Sequence, residues 1–234
     1  MIKYPSIKTI FFTKEYTIPT FFKKTVIFLF LYTFIIVIKN CWCNVLGVVL
    51  AIATLIIYQL SQSTDLFEIT NFILLSYTLI FPFIFSLEEV SHGGVCIGKG
   101  EGKRLKKLLI SFFGFPNFPI IIASIGISYE TKEFSKADIF EVLSGGPTFT
   151  IIAIIIILII LNLKNFFIFL LIPILSLTSF SMLENLGIKS DGAKMIEIYK
   201  SVGSDKLFPL RHIIKSNFFI LKGFFTIRYQ GPNK

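Results

Sequence analysis

Two carboxylates and an imidazole lie close together at residues 88 to 92, in the sequence Glu-Glu-Val-Ser-His. They follow an apolar run, residues 72–87, and an ionisable group inside a membrane span costs a few kcal/mol even on lenient insertion scales. If this segment is helical, Glu88 and His92 are one turn apart and share a face, so both can bind one metal ion. Glu89 lies one position round the helix, within reach of a ligand of that ion. The spacing therefore predicts a metal site with an acid–base group beside it.

The composition is typical of a membrane protein. Of the 234 residues, 54% are hydrophobic and 28 are Phe, and the apolar residues fall in blocks. A transmembrane helix needs about 20 residues, and neutral flanking residues bring the shorter blocks towards that length. We therefore predict an all-α integral membrane protein with about five transmembrane helices. The candidate spans are residues 25–38, 44–60, 72–87, 149–163 and 166–183.

A sixth apolar stretch, residues 108–127, is interrupted by Gly114, Pro116, Asn117 and Pro119. Irregular backbone is tolerated at membrane depth only where protein or water covers it. The interruptions therefore predict a re-entrant or sharply kinked segment in addition to the five spans.

The net charge and its distribution along the chain indicate the partners of the protein and its location in the cell. The formal net charge is +9, and the basic residues lie between the apolar runs. This is the pattern of cytoplasmic loops beside anionic lipid headgroups, so we expect a multi-pass protein of the cell membrane whose partner is the lipid bilayer. We expect no nucleic-acid partner. The N-terminus, polar and basic through Lys24, lacks the short apolar region and cleavage site of a signal peptide.

These boundaries divide the chain into four segments. Residues 1–24 are a basic N-terminal segment, 25–60 a helical hairpin, 72–196 the membrane core, and 197–234 a basic cytoplasmic tail. The tail is expected to lie partly along the membrane surface as amphipathic helix, with His212 at the interface.

Three cysteines form no disulfide framework. Cys41-Trp42-Cys43 is interpreted as a small-residue loop with an interfacial Trp, with a redox or metal role as the alternative. Cys96, four residues after His92, is a rival metal ligand on the same helical face. We expect the intervening Gly93-Gly94 pair to end that helix, which disfavours Cys96.

Three sequence features follow one another in a fixed order: Glu-Glu-Val-Ser-His at residues 88–92, Gly-Gly-Pro at 145–147, and Ser-Asp-Gly at 190–192. This order resembles that of the site-2 protease family of intramembrane zinc metalloproteases. That family has His-Glu-x-x-His on one core helix, a small-Gly-Pro opening on the next and Asp-Gly on a third. The resemblance covers residues 72–196 and implies a similar three-helix core.

The resemblance implies a role for each matching residue. His92 corresponds to the second histidine ligand of a Zn²⁺ ion, and Asp191 to the distant carboxylate ligand. Glu89 corresponds to the general base that accepts a proton from the attacking water. The implied activity is a membrane-embedded metal-dependent peptidase, and small bacterial members often accompany peptide production. The implied substrate is therefore a precursor or exported peptide, or a membrane protein.

The chain departs from the family pattern in three places. Glu88 replaces the first histidine; a glutamate can bind zinc, but the site becomes more oxygen-rich and less selective for zinc. Thr150 lies where the family often has Asn. Residues 185–191 lack the prolines usual before Asp-Gly.

The departures leave two alternatives open. The first is an inactive relative that binds a peptide or acts as an immunity or assembly factor. The second is a small membrane transporter or channel subunit, in which buried acids form an ion path.

Overall fold

The computed structural model describes residues 11–40, 49, 52, 53, 56, 80–115, 118–161, 190–203 and 207–225. In that part of the chain, five helices accompany one three-stranded antiparallel sheet. The elements are β1 (Phe11–Thr17), α1 (Val26–Asn40), α2 (Phe81–Lys99), β2 (Leu105–Phe115), β3 (Phe118–Tyr129), α3 (Lys136–Leu161), α4 (Asp191–Val202) and α5 (Pro209–Phe225). Two short 3₁₀ helices, Thr20–Lys23 and Gly102–Arg104, precede α1 and β2.

The prediction of an all-α membrane protein with a three-helix core is wrong. Residues 108–127, predicted as a re-entrant or kinked segment, lie in the hairpin of β2 and β3. Both halves are rich in β-branched and aromatic residues, which favour strands. Pro116 and Asn117 lie between the two strands, where turn-forming residues belong. Each half is short for a membrane-spanning helix, whereas pairing as strands satisfies the backbone of both.

The prediction of about five membrane-spanning helices is not supported either. Among the described residues, Lys136–Ile159 is the one helix long and apolar enough to cross a membrane. Helix α1 is apolar but has 15 residues. The predicted spans 166–183 and, except for four residues, 44–60 lie outside the described residues, as does the first half of 72–87.

The sheet packs one face against helix α2. Strand β2 is central, with Leu108 paired to Tyr16 of β1 and to Ile127 of β3. Leu108, Ile110 and Ile127 are buried, while Lys107 is exposed. Since successive side chains of a strand point to opposite faces, this alternation gives the sheet one apolar face. That face holds one side of α2 in place.

Helix α2 contacts α1, α3, α5 and β3. It continues through Gly93 and Gly94 to Lys99 and ends where Gly100 is left-handed, with φ 86°. The expectation that Gly93-Gly94 would end it is therefore wrong. The glycines of α2 instead allow close packing, because a Cβ on Gly93 would overlap the side chain of Leu29 in α1 and a Cβ on Gly98 would overlap the backbone carbonyl of Phe219 in α5.

Helix α5 lies within the segment predicted as a basic tail. It packs against α2 and α3. Ser216, Ile220 and Gly223 are buried on its inner face. The opposite face exposes Phe218 and Phe225. The described part of the tail thus contributes to the core around α2.

Candidate functional site

Helix α2 carries the Glu-Glu-Val-Ser-His cluster in its interior. Glu88 and His92 are each 6% exposed and lie one helical turn apart. Ser91 is also buried, and its hydroxyl donates to the carbonyl of Leu87 at 2.6 Å. The ionisable side chains are thus directed by a regular helix packed on several sides.

His92 and Asp191, far apart in the sequence, lie side by side. The distance from His92 Nε2 to Asp191 Oδ2 is 3.1 Å. Asp191 is the first residue of α4, and the hydroxyl of Ser190 caps this helix by accepting the N–H of Ala193 at 3.2 Å. A carboxylate is favoured at a helix N-terminus by the helix dipole. The fold therefore brings together two of the three predicted ligands.

The carboxylate of Asp191 is held in its charged form. Burial acts to raise its pKa, but the charge and hydrogen bond of His92 and the neighbouring Lys194 outweigh burial, so the pKa lies below its usual value. Lys194 Nζ is 3.2 Å from Asp191 Oδ1, while Oδ2 faces His92. The two oxygens therefore have different partners: Oδ2 is paired with the imidazole and Oδ1 with the ammonium group.

Helix α3 orients the imidazole of His92. The backbone carbonyl of Val142 accepts a hydrogen bond from His92 Nδ1 at 2.7 Å. Since a carbonyl only accepts, Nδ1 carries the proton and Nε2 is directed at Asp191. One turn along α3, a Cβ on Gly146 would overlap the ring. Helix α3 therefore provides both the acceptor, at Val142, and the space, at Gly146, that place this ring.

Glu89 lies between α2 and the sheet. Its Oε2 accepts the backbone N–H of Ile127 at 3.0 Å. Strand β3 is at an edge of the described sheet, where N–H groups that point away from β2 have no partner strand. The N–H of Ile127 is one of these groups and donates to Glu89 instead. At the end of the same strand, burial raises the pKa of Tyr129, and the nearby Cys96, Asp191 and Glu89 raise it further. Burial raises the pKa of Glu89 to about 8, although the charge of His92 opposes this shift. A protonated phenol and a carboxyl group of raised pKa therefore border the site.

The geometry fits two corners of a zinc site. Two ligand atoms about 2.0 Å from a tetrahedral zinc lie roughly 3.3 Å apart, close to the separation of His92 Nε2 and Asp191 Oδ2. A histidine whose Nδ1–H donates to a backbone carbonyl is typical of metal ligands. Catalytic zinc, however, takes three protein ligands. Within the described ranges, no three His, Cys, Asp or Glu side chains form a group suited to a metal ion.

Two further sequence-derived candidates lie elsewhere. Cys96 is on α2 but buried in the apolar core, with a free thiol. Thr150, one turn beyond Gly146 on α3, is buried, and its hydroxyl has no hydrogen-bond partner among the described residues. Cys41 to Cys43 lie outside the described residues.

Sequence reasoning missed the groups that orient the site. The Val142 carbonyl and the Ile127 N–H belong to the backbone, and such groups leave no mark in the sequence. Lys194, three residues after Asp191, was detectable, since an acid and a base at this spacing meet on one helix.

Comparisons with protein-family models, curated proteins and solved structures found no match for this chain.

Proposed function

We propose that this protein is a membrane-embedded, metal-dependent peptidase that processes a precursor or exported peptide. One observation carries the proposal: three separate sequence features meet at the ring of His92. Its Nε2 is 3.1 Å from Asp191, Gly146 packs against its face, and Glu89 lies three residues before it on the same helix. A cluster retained only for packing needs no such convergence of charged groups.

Each side chain has a defined role in this proposal. His92 Nε2 and Asp191 Oδ2 would hold the ion, and Glu88, one turn before His92, would turn its side chain towards them as the third ligand. When bound, zinc supplies Lewis-acid activation of water and of the scissile carbonyl. Glu89 accepts the proton of the attacking water at Oε1 and delivers it to the leaving amine nitrogen. The Ile127 N–H binds Oε2 of Glu89 and so fixes the position of its carboxyl group.

A location in the cell membrane, as a multi-pass protein, is part of the proposal. Helix α3 is apolar over Lys136–Ile159. Its outer face exposes Ile155 and Ile159, the latter by 74%, and α1 exposes Ile35 by 63%. Large aliphatic side chains exposed along whole helix faces fit contact with lipid better than contact with water.

A second function is favoured by a specific observation. The described residues contain no group of three metal-ligating side chains, and Asp191 is already paired with His92 and Lys194. The second proposal is an inactive relative of such peptidases that binds no metal and instead binds a peptide or acts as an immunity factor. Such a protein also needs ion pairs that stabilise these buried charges.

Metal content decides between the two functions. Full-length protein purified in mild detergent without chelator is expected to hold about one zinc, measured by plasma mass spectrometry. Glu89→Gln is expected to keep the zinc and lose cleavage of membrane-anchored reporter peptides. His92→Gln is expected to lose both. The control is Glu133→Gln, because Glu133 is exposed and pairs with Arg104 away from the site. Wild-type protein without zinc would refute the peptidase and support the metal-free relative.

A further inference from the structure

A buried carboxylate on α3 binds three basic side chains from two other helices. Glu141 is fully buried and forms ion pairs with Lys99 at the end of α2 and with His212 and Lys215 of α5. The distances from Glu141 Oε1 are 2.8 Å to His212 Nδ1 and 3.0 Å to Lys215 Nζ. Lys99 also binds Asp138, at 2.5 Å. His212, expected at the membrane interface, thus lies against the core.

This arrangement holds α3 against its neighbours. A buried carboxylate is tolerated only when opposite charges and hydrogen bonds compensate its lost hydration. Glu141 receives that compensation from both α2 and α5. If either helix shifted along α3, a charged side chain would lose its partner. The two lysines also exclude the cluster as a metal site, because a cation is repelled there.

The contact between α3 and α5 continues along the face that carries the Gly-Gly-Pro segment. The Ser144 hydroxyl donates to the hydroxyl of Ser216 at 3.3 Å. One turn further, the amide of Asn217 donates to the Thr148 hydroxyl at 3.0 Å. The polar contacts therefore begin before Gly146 and end after it, and they fix both the rotation and the translation of α3.

The next residue after Glu141 is Val142, whose carbonyl accepts the Nδ1–H of His92. Any movement of this turn of α3 therefore changes the hydrogen bond that sets the tautomer and direction of the ring. Partners that orient a ligand histidine affect metal affinity about 10- to 100-fold when removed.

We propose that Glu141 is a positioning residue of the site: held by Lys99 and by His212 and Lys215 of α5, it fixes the turn of α3 that orients His92. The catalytic consequence rests on the proposed function, but the effect on the His92 ring does not require metal. Helix α5 thereby becomes a structural part of the site.

The chain has two histidines, so the test is direct. Full-length protein labelled with ¹⁵N-histidine in detergent micelles gives imidazole signals from His92 and His212, and His212→Gln assigns them. Glu141→Gln is expected to shift the signals of both rings and to weaken zinc binding about tenfold or more. Glu133→Gln, the exposed control, is expected to leave both signals unchanged.

Two results would overturn the proposal. One is a Glu141→Gln protein whose His212 signals move while those of His92 stay at their wild-type positions. If that variant does not fold, His212→Gln supplies the test, because it loosens the same cluster from α5; unchanged His92 signals there would equally refute the inference. If no protein tested binds zinc but Glu141→Gln still shifts the His92 signals, the proposed peptidase activity is refuted and the positioning role of Glu141 is supported.

Discussion

Replacing Gly146 by alanine tests whether α3 places the His92 ring. The added methyl group would overlap an imidazole held between Val142 and Asp191. Gly145→Ala is a matched control, because its methyl group meets Val95 Cγ2 at 2.7 Å and Ile220 Cδ1 at 3.2 Å, both ends of side chains. The two substitutions add the same atom to adjacent positions of one helix, and only the first one meets the ring.

The expected loss of stability is modest for both variants. Alanine is favoured over glycine inside a helix by about 1 kcal/mol, whereas overpacking a core costs about 1 to 3 kcal/mol. The free energy of unfolding of Gly145→Ala should therefore fall by about 0 to 2 kcal/mol. In Gly146→Ala the ring must move, which also breaks the buried hydrogen bond to Val142, worth about 1 kcal/mol. Its expected loss is about 1 to 3 kcal/mol.

The decisive measurement is made on the ring and not on stability. Denaturant unfolding followed by circular dichroism gives the free energies, and ¹⁵N-histidine spectra with zinc titration report the ring. Gly146→Ala is expected to shift the His92 signals and lose zinc affinity, while Gly145→Ala keeps both. Identical His92 signals in the two variants would refute the role assigned to α3.

Three further predictions concern charged groups. Glu141→Gln leaves Lys99 without its buried partner and should lower the free energy of unfolding by about 3 kcal/mol, measured by denaturant titration. A loss no larger than that from breaking an exposed ion pair would contradict the role of Glu141 in holding the helices together. Asp191→Asn should abolish zinc binding in a calorimetric titration while the protein stays folded, and retained affinity would remove Asp191 from the ligand set. The hydrogen bond and charge of Lys106 hold the pKa of Glu130 below its usual value. This pair therefore stabilises the fold at neutral pH, and the stabilisation is lost as the pH falls through the lowered pKa. In melting curves, Glu130→Gln should reduce the dependence of stability on acid pH, and an unchanged dependence would contradict this prediction.

The sheet shows where sequence reasoning failed. Gly114, Pro116, Asn117 and Pro119 were interpreted as interruptions of a membrane segment, because the flanking residues are apolar. Apolar composition alone does not distinguish a kinked helix from a hairpin, and the register of β2 with β3 depends on pairing between strands. Residue types that break a helix are also those that favour turns, so the same pattern fits both structures.

The prediction that Gly93-Gly94 ends α2 is wrong for a related reason. Isolated glycine weakens a helix, so Gly93-Gly94 predicted its end. In the folded protein, close packing outweighs that weakness, since a Cβ on Gly93 would overlap Leu29 of α1 and one on Gly94 would meet Ile220 of α5. A tertiary contact of this kind has no counterpart in local propensity.

The sequence by itself determined which side chains are available for chemistry. Its spacing put Glu88 and His92 on one helical face. The resemblance to a known family implied that His92 and Asp191 share a ligand, and the structure brings the two side chains within 3.1 Å. Tertiary structure alone decided how the ring is oriented, through the Val142 carbonyl, and which helices hold it, through Glu141. Residue type and spacing are local properties, whereas a carbonyl acceptor and a buried ion pair exist only once distant helices pack against each other.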